Sequence, residues 1–310
     1  MANKHFSSPF HILLADDGSS HSQAAIELIK SLPLASGSEI HAVTVFTPRQ
    51  ISEHEQLRAH VLKSRESLLG ADLKVTANLM LGYPAEKIIE VAEETNPELV
   101  VIGAKGLRAT MGILLGGVAQ QVVEYAKSPV LVVRAPFAQL KNILLVTDGS
   151  ICSEYAASYL TRLPVPASAE IYIMHVLPPM PEYTPIAKTW PIGPELLELT
   201  TPDWSSEIET WKMEDEDKGH AILEKTKRIL ARLEKPISCV TKRGDAATEI
   251  ISFVKENAID LIVAGSRGLN PVQGWLLGSV SRKLIHYANC SVLVVKADEE
   301  ICPGEDSNRK

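Results

Sequence analysis

Two short elements recur in this chain with residue types that can hold a phosphorylated ligand. The first is Asp17-Gly18-Ser19 and its copy Asp148-Gly149-Ser150, each directly after an apolar run. A carboxylate there can accept hydrogen bonds from ribose hydroxyls or orient a hydrated Mg²⁺. The same tripeptide also serves as a turn whose serine caps the following helix. The second element is more specific. Gly265-x-x-Gly268 is followed by Gly278-Ser279 and then Ser281, and the helical pattern Val280, Leu284, Tyr287, Ala288 begins at once. Glycines let a backbone come close to a phosphate chain, and the opening turn of a helix offers unpaired N–H groups and a favourable dipole. Ser279 and Ser281 add hydroxyl donors, Arg267 adds positive charge, and residues 269–277 are enough to fold over a nucleotide. The same glycines recur earlier as Gly103, Gly106 and Gly116. A plain connecting turn would not need them twice.

Other chemistries leave no trace in the residues. No G-x-x-x-x-G-K-[ST] occurs, and no G-x-G-x-x-G follows the first strands. The histidines form no H-x-x-x-H pair, and no G-x-S-x-G elbow or Cys/His set is visible, so neither a metal centre nor a covalent nucleophile is expected. His41 and His175 lie in apolar runs and read as packed, hydrogen-bonded side chains.

The elements that must position these motifs are written twice. Ile12-Leu13-Leu14-Ala15-Asp16-Asp17-Gly18-Ser19 returns as Ile143-Leu144-Leu145-Val146-Thr147-Asp148-Gly149-Ser150, and Pro129-Val130-Leu131-Val132-Val133 as Ser291-Val292-Leu293-Val294-Val295. The second copy carries about 31 extra residues between its aspartate and its glycine motif. Strands are predicted at 11–15, 39–46, 75–81, 98–103 and 129–134, then at 142–146, 170–176, 238–242, 261–265 and 291–296. They are continuous apolar runs, as strands buried on both faces must be. Between them lie segments of helical period, among them 54–69, 85–94 and 118–126, then 153–163, 218–233, 247–257 and 280–288. Alternation of this kind implies an α/β fold, with a parallel sheet covered by helices on both faces. Open parallel sheets bind ligands at the carboxyl ends of their strands, where both motifs fall. The last strand of each copy is apolar and at a sheet edge, so the two copies are expected to pack together as an intrachain pseudo-dimer.

The chain has 310 residues, 45% hydrophobic and 22% charged, with a net charge of −7. That composition gives two globular cores and excludes a disordered chain, a collagen-like fibre and a disulfide-dense mini-protein. The acidic balance argues against nucleic acid as a partner. No apolar run approaches the 18 or more residues of a membrane span, and the first eight residues lack a signal-peptide stretch. Cys152, Cys239, Cys290 and Cys302 show no C-x-x-C pairing, which reads as four reduced thiols in a cytoplasmic protein.

D-G-S after the first strand, then G-x-x-G-(nine)-G-[S/T] after the fourth, resembles the universal stress protein family in its tandem two-domain form. The resemblance covers about residues 9–135 and 140–297. It implies two tandem Rossmann-like domains of the adenine-nucleotide alpha hydrolase type, 1–137 and 138–297, each a five-stranded parallel sheet in the order 3-2-1-4-5. It also implies an adenine nucleotide (ATP, or AMP or ADP) held with Mg²⁺, and a possible homodimer. The matching positions in half two are Asp148, Val176 beside the adenine, Gly265, Gly268, Gly278 and Ser279; those in half one are Asp17, Val45, Gly103, Gly106 and Gly116. Half one departs where Gly117 and Ala119 stand for Ser279 and Ser281, and Gln120-Gln121 for Arg282-Lys283. It keeps the backbone path and loses side chains directed at phosphate.

An insertion near 178–209 holds seven prolines between Pro178 and Pro202, with Trp190 and Trp204, and is expected to lack a regular helix. Glu214-Asp215-Glu216-Asp217 reads as a solvated helix start, and 298–310 as a disordered tail. The leading function is nucleotide occupancy as a stress signal. An ATP-independent scaffold or chaperone-like protein with vestigial pockets is the alternative. An enzyme is disfavoured for want of a nucleophile or base, leaving at most a very slow ATPase. Protein partners are not legible.

Overall fold

Ile12 and Leu14 point into one hydrophobic cluster and Leu13 and Ala15 into another. That is why β1 (His11–Ala15) is apolar from Ile12 onward: its side chains alternate between two buried faces. The computed structural model describes residues 8–70, 72–107, 114–180, 205–268 and 277–296. Half one continues with α1 (Ser20–Ser31), β2 (Glu39–Phe46), α2 (His54–Leu68), β3 (Lys74–Leu81), α3 (Pro84–Thr95), β4 (Leu99–Gly103), α4 (Gly117–Tyr125) and β5 (Val130–Val133). Half two follows with β6 (Asn142–Val146), α5 (Ile151–Leu160), β7 (Glu170–Leu177), α6 (Ser205–Leu230), β8 (Ile237–Arg243), α7 (Ala246–Glu256), β9 (Leu261–Gly265), α8 (Ser279–Tyr287) and β10 (Ser291–Val295).

All ten strands form one sheet, ordered β3-β2-β1-β4-β5-β10-β9-β6-β7-β8. Each half is parallel throughout in the order implied by the resemblance. The halves meet where β5 and β10 pair antiparallel, Leu131 opposite Leu293. Both apolar edges are thereby closed, as their composition requires.

The junction is fastened by reciprocal cations. Arg134, just past β5, donates to the Ile285 carbonyl at 2.6 Å and the His286 carbonyl at 3.2 Å, at the end of α8. Lys296, just past β10, donates to the Glu124 carbonyl at 2.8 Å, at the end of α4. Each side chain answers carbonyls that a helix terminus leaves unpaired. Burial pulls the Lys296 ammonium down to about 8. The Tyr159 hydroxyl adds a bond to the Glu98 carbonyl at 2.7 Å across the same junction.

Three expectations are corrected. The helix expected at 218–233 begins at Ser205, so residues 205–209 of the insertion are helical. Pro202 is the last proline before it, and nothing after that residue opposes a helix. The acidic run therefore lies inside α6 rather than at its start. It is not merely solvated, because Arg243 pairs with Asp215 at 3.2 Å while also donating to the Pro178 carbonyl. Cys152 is disulfide-bonded, so reduced thiols are found only at Cys239 and Cys290 among the described residues. The rest of the insertion, with Trp190 and Trp204, and the tail 297–310 with Cys302 lie outside the described residues.

Candidate functional site

The two Asp-Gly-Ser turns do what local chemistry asks of them. Gly18 and Gly149 both sit at φ +79°, a conformation that favours glycine. Ser19 caps α1 by accepting from Ser22 N–H, and Ser150 caps α5 by accepting from Ser153 N–H. The turn reading and the ligand reading thus coexist, since capping leaves the aspartate aimed at the neighbouring loop. Oδ1 of Asp148 accepts from Ser150 N–H at 3.0 Å. In half one both carboxylate oxygens of Asp17 are engaged, by Ser19 N–H and by Leu107 N–H, each at 3.1 Å.

The glycine motif is laid against these turns. A Cβ at Gly265 would stand 2.9 Å from the Cys152 carbonyl oxygen, so the end of β9 touches the first turn of α5. A Cβ at Gly268 would stand 2.6 Å from Asp148 Oδ2. Gly278 N–H returns to the Ser266 carbonyl at 2.7 Å and starts α8. Unlike α1 and α5, α8 has no side-chain cap at its N-terminus. Its first-turn amides are left for an outside acceptor.

These elements enclose a cavity of about 510 Å³. All eight half-two positions singled out in the sequence line it: Asp148, Val176, Gly265, Arg267, Gly268, Gly278, Ser279 and Ser281. The sequence did not single out Thr147, Met174, Ala246 or Ile250, which also line it. Periodicity marks such residues as core and cannot say that a void adjoins them. The cavity's lining joins apolar side chains, among them Met174, Val176 and Ile250, to three glycines, Arg267 and Ser279. Such a combination suits a flat apolar base joined to an anion.

One expected role is corrected by the geometry. Ser281 is buried and gives its hydroxyl proton to the Gly265 carbonyl at 2.7 Å. A hydroxyl has one proton, so Ser281 braces the strand end and is no donor to a phosphate. Ser279 is exposed at the first position of α8. Of the loop 269–277, only Leu277 lies among the described residues, and it lines the cavity.

Half one keeps the backbone design. A Cβ at Gly103 would stand 2.9 Å from the His21 backbone and one at Gly106 2.5 Å from Asp17 Oδ2, and Gly116 caps α4 without a side-chain bond. Val45 is partly buried against the core. What stands behind the turn differs. Where half two has Thr147, half one has Asp16, which is buried and accepts from the Ser64 hydroxyl at 2.6 Å. It also holds His60 Nε2 at 2.8 Å. Burial alone would raise the Asp16 carboxyl; the hydrogen bonds from His60 and Ser64 outweigh it and leave the group below its ordinary value. Hydrogen bonding to Asp16 raises His60 above its own. The only hint in the sequence was Asp16 opposite Thr147 in the repeat, because His60 lies 44 residues away. His175 is buried and bonded through Nδ1 to the Thr147 carbonyl at 2.8 Å, and His41 meets Asn78 at 3.0 Å, as packed histidines should.

Among the described residues no helix is long and apolar enough to cross a membrane, and no group of three or more His, Cys, Asp or Glu is placed to hold a metal. A family model described as the universal stress protein family matches residues 10–134 and 139–296. A universal stress protein of Mycobacterium tuberculosis is 27% identical over 258 residues, which is 80% of this chain and 78% of that one. Another, of Methanocaldococcus jannaschii, is 31% identical over half of this chain and 82% of its own. In three dimensions the chain resembles a universal stress protein from Archaeoglobus fulgidus, with a TM-score of 0.61 at 18% identity, over 96% of this chain and 100% of that one.

Proposed function

The chain belongs to the universal stress protein family, a family of the stress response, and from that premise we propose that its second half binds an adenine nucleotide, ATP with Mg²⁺, and signals through occupancy. The observation that carries this reading is the convergence of Asp148, the three glycines and the uncapped start of α8 on one cavity of about 510 Å³. That volume lies within the range of about 300–1,000 Å³ usual for small-molecule sites. The residues fit the ligand. Met174, Val176 and Ile250 would take the base, the Asp148 carboxylate would face the ribose or a hydrated Mg²⁺, and the first amides of α8 with Ser279 and Arg267 would face the phosphates. When bound, Mg²⁺ would offset part of the phosphate charge.

Half one is read as the weaker or vestigial member. It has Gly117 in place of Ser279 and a buried carboxylate, Asp16, behind its turn. The same reading makes the protein a binder rather than an enzyme, and its natural compartment the cytoplasm. Mass spectrometry of ligand released on denaturing the purified protein, followed by calorimetric titration of the stripped protein with ATP, tests the proposal. Expected is an adenine nucleotide close to one per chain. Absence of any nucleotide, together with no heat on titration, would favour the ATP-independent scaffold.

A further inference from the structure

We propose that Arg134 is a positioning residue that links the half-two site to the glycine loop of half one, so that nucleotide held at α8 is registered at the start of α4. This rests on the nucleotide reading above and adds the route by which occupancy leaves the site.

Arg134 donates to both halves at once. Its Nη2 meets the Ile285 and His286 carbonyls in the last turn of α8, at 2.6 and 3.2 Å. Its Nη1 meets the Leu114 carbonyl at 2.8 Å, two residues before Gly116 at the start of α4. Its backbone N–H donates to the Ser291 hydroxyl of β10 at 3.2 Å, so the base of the side chain is tied to half two as well. A guanidinium is planar and rigid, and its two terminal nitrogens keep one spacing. The α8 carbonyls therefore cannot shift without moving the Leu114 carbonyl or breaking a charged hydrogen bond.

The equivalent position in half two shows what the arginine adds. Lys296 follows β10 as Arg134 follows β5, and it too answers a helix end, the Glu124 carbonyl at 2.8 Å. Capping a helix thus needs only an ammonium. Arg134 caps α8 while its Nε stays buried without a hydrogen-bond partner among the described residues, a cost that a lysine would avoid. What the fork supplies beyond a cap is the reach to Leu114.

The carrier is α8, nine residues long and therefore ~13 Å from end to end. Its uncapped first turn lines the half-two cavity and its last turn rests on Arg134. A phosphate held by the first-turn amides and Ser279 fixes one end of this short rod. An anion there also reinforces the helix dipole, and with it the charge that the last carbonyls present to Arg134. Both effects hold the fork, and so Leu114, more firmly. Just past Leu114, Gly116 N–H donates to the Ala104 carbonyl at 2.7 Å and Gln120 N–H to the Gly116 carbonyl at 3.0 Å. These bonds then open less often. Arg282 of α8 also pairs with Glu124 at 3.4 Å, but it meets α4 near the end far from Gly116.

Hydrogen exchange in full-length protein, read by mass spectrometry over residues 114–125 with and without ATP and Mg²⁺, tests the link. Saturation is established by calorimetric titration. In wild type ATP should slow exchange at the start of α4 by about fivefold, the lower end of ordinary coupling between sites. Arg134→Lys, which keeps the charge and loses the fork, should bind ATP without that slowing. Glu124→Gln should keep it, and Gly278→Val, blocked in half two, should lose it. Wild type that binds ATP without slowing, or Arg134→Lys that slows as wild type does, overturns the link and leaves the nucleotide reading standing. Loss of the response in Glu124→Gln would assign the route to the ion pair and overturn Arg134 as its carrier. Slowing that persists in Gly278→Val would mean that ATP acts on half one directly, which also overturns the link. Should Arg134→Lys fail to fold, the other three proteins still decide. No heat on titrating wild type would remove the nucleotide reading and this link together.

Discussion

Asp148 occupies the space that a side chain at position 268 would need. A Cβ on Gly268 would stand 2.6 Å from Asp148 Oδ2, and the half-one pair Gly106 and Asp17 repeats the relation at 2.5 Å. The second glycine of each motif is thus required by a carboxylate more than 80 residues away in sequence. Neither glycine is needed for backbone conformation, since neither has a positive φ.

Gly268→Ala should push the Asp148 carboxylate out of place and weaken ATP binding by about tenfold or more, ~1.4 kcal/mol. Calorimetric titration measures it, and an unchanged circular dichroism spectrum separates lost binding from lost fold. Gly106→Ala should strain the Asp17–Leu107 bond in half one and leave half-two affinity unchanged.

Binding should be asymmetric between the halves. Ser279 can give one hydrogen bond to a charged phosphate oxygen, worth roughly 1.5–3 kcal/mol net of water. Gly117 offers its backbone N–H alone. Gly278→Val should therefore remove most ATP binding, and Gly116→Val little of it, although a Cβ at either position would stand 3.3–3.4 Å from a carbonyl of the preceding loop. Equal losses in the two variants would refute the asymmetry. Ser281→Ala should act on stability, since its hydroxyl is spent on Gly265.

The Asp16–His60 pair makes a definite pH signature. His60 lies above its ordinary value of 6.5 when folded, so its contribution is fully present below 6.5 and is lost as pH rises through the raised value. Asp16 lies below 3.8, so its contribution is lost only when pH falls beneath that. His21, His41 and His286 are held below the ordinary value by burial and have the opposite sign. The difference between wild type and His60→Gln isolates the pair. Wild type should melt higher at pH 5.5, and the gap should close as the pH is raised above 7. A gap independent of pH would show that His60 contributes packing only.

Arg134→Ala removes the cation that caps the last carbonyls of α8 and also holds the Leu114 carbonyl at 2.8 Å. Charged hydrogen bonds of this kind contribute about 1.5–3 kcal/mol each, net of the bonds exchanged with water. A loss of about 2–4 kcal/mol in urea unfolding is expected. Because the sheet is continuous across β5 and β10, the two halves should unfold together in wild type and show two transitions in the variant.

ATP turnover should be far below 1 s⁻¹, a rate ordinary for enzymes. Hydrolysis needs a group that orients water or stabilises developing charge. Asp148 is the one carboxylate lining the half-two cavity among the described residues, and it is tied to the turn by Ser150 N–H. Phosphate release over many turnovers at about 1 s⁻¹ or faster would contradict this.

Much of this molecule is written locally. Leu13 and Leu14 face opposite cores, so a strand buried on both faces could only be an unbroken apolar run, and such runs are legible one at a time. The duplication, the parallel halves and the glycine spacing followed from the same kind of signal. The pairing of the two apolar last strands followed from their composition together with the strand order that the family resemblance implies, which leaves each at an edge that demands a partner. Other features depend on distances between residues remote in the chain, and only the tertiary structure decided them. It brought His60 and Ser64 to Asp16, set Arg243 against Asp215, and joined Met174 and Ile250 into the wall of one cavity. It also spent the Ser281 proton on Gly265, because a hydroxyl turns to whichever acceptor packing places beside it, and sequence carries no record of that direction.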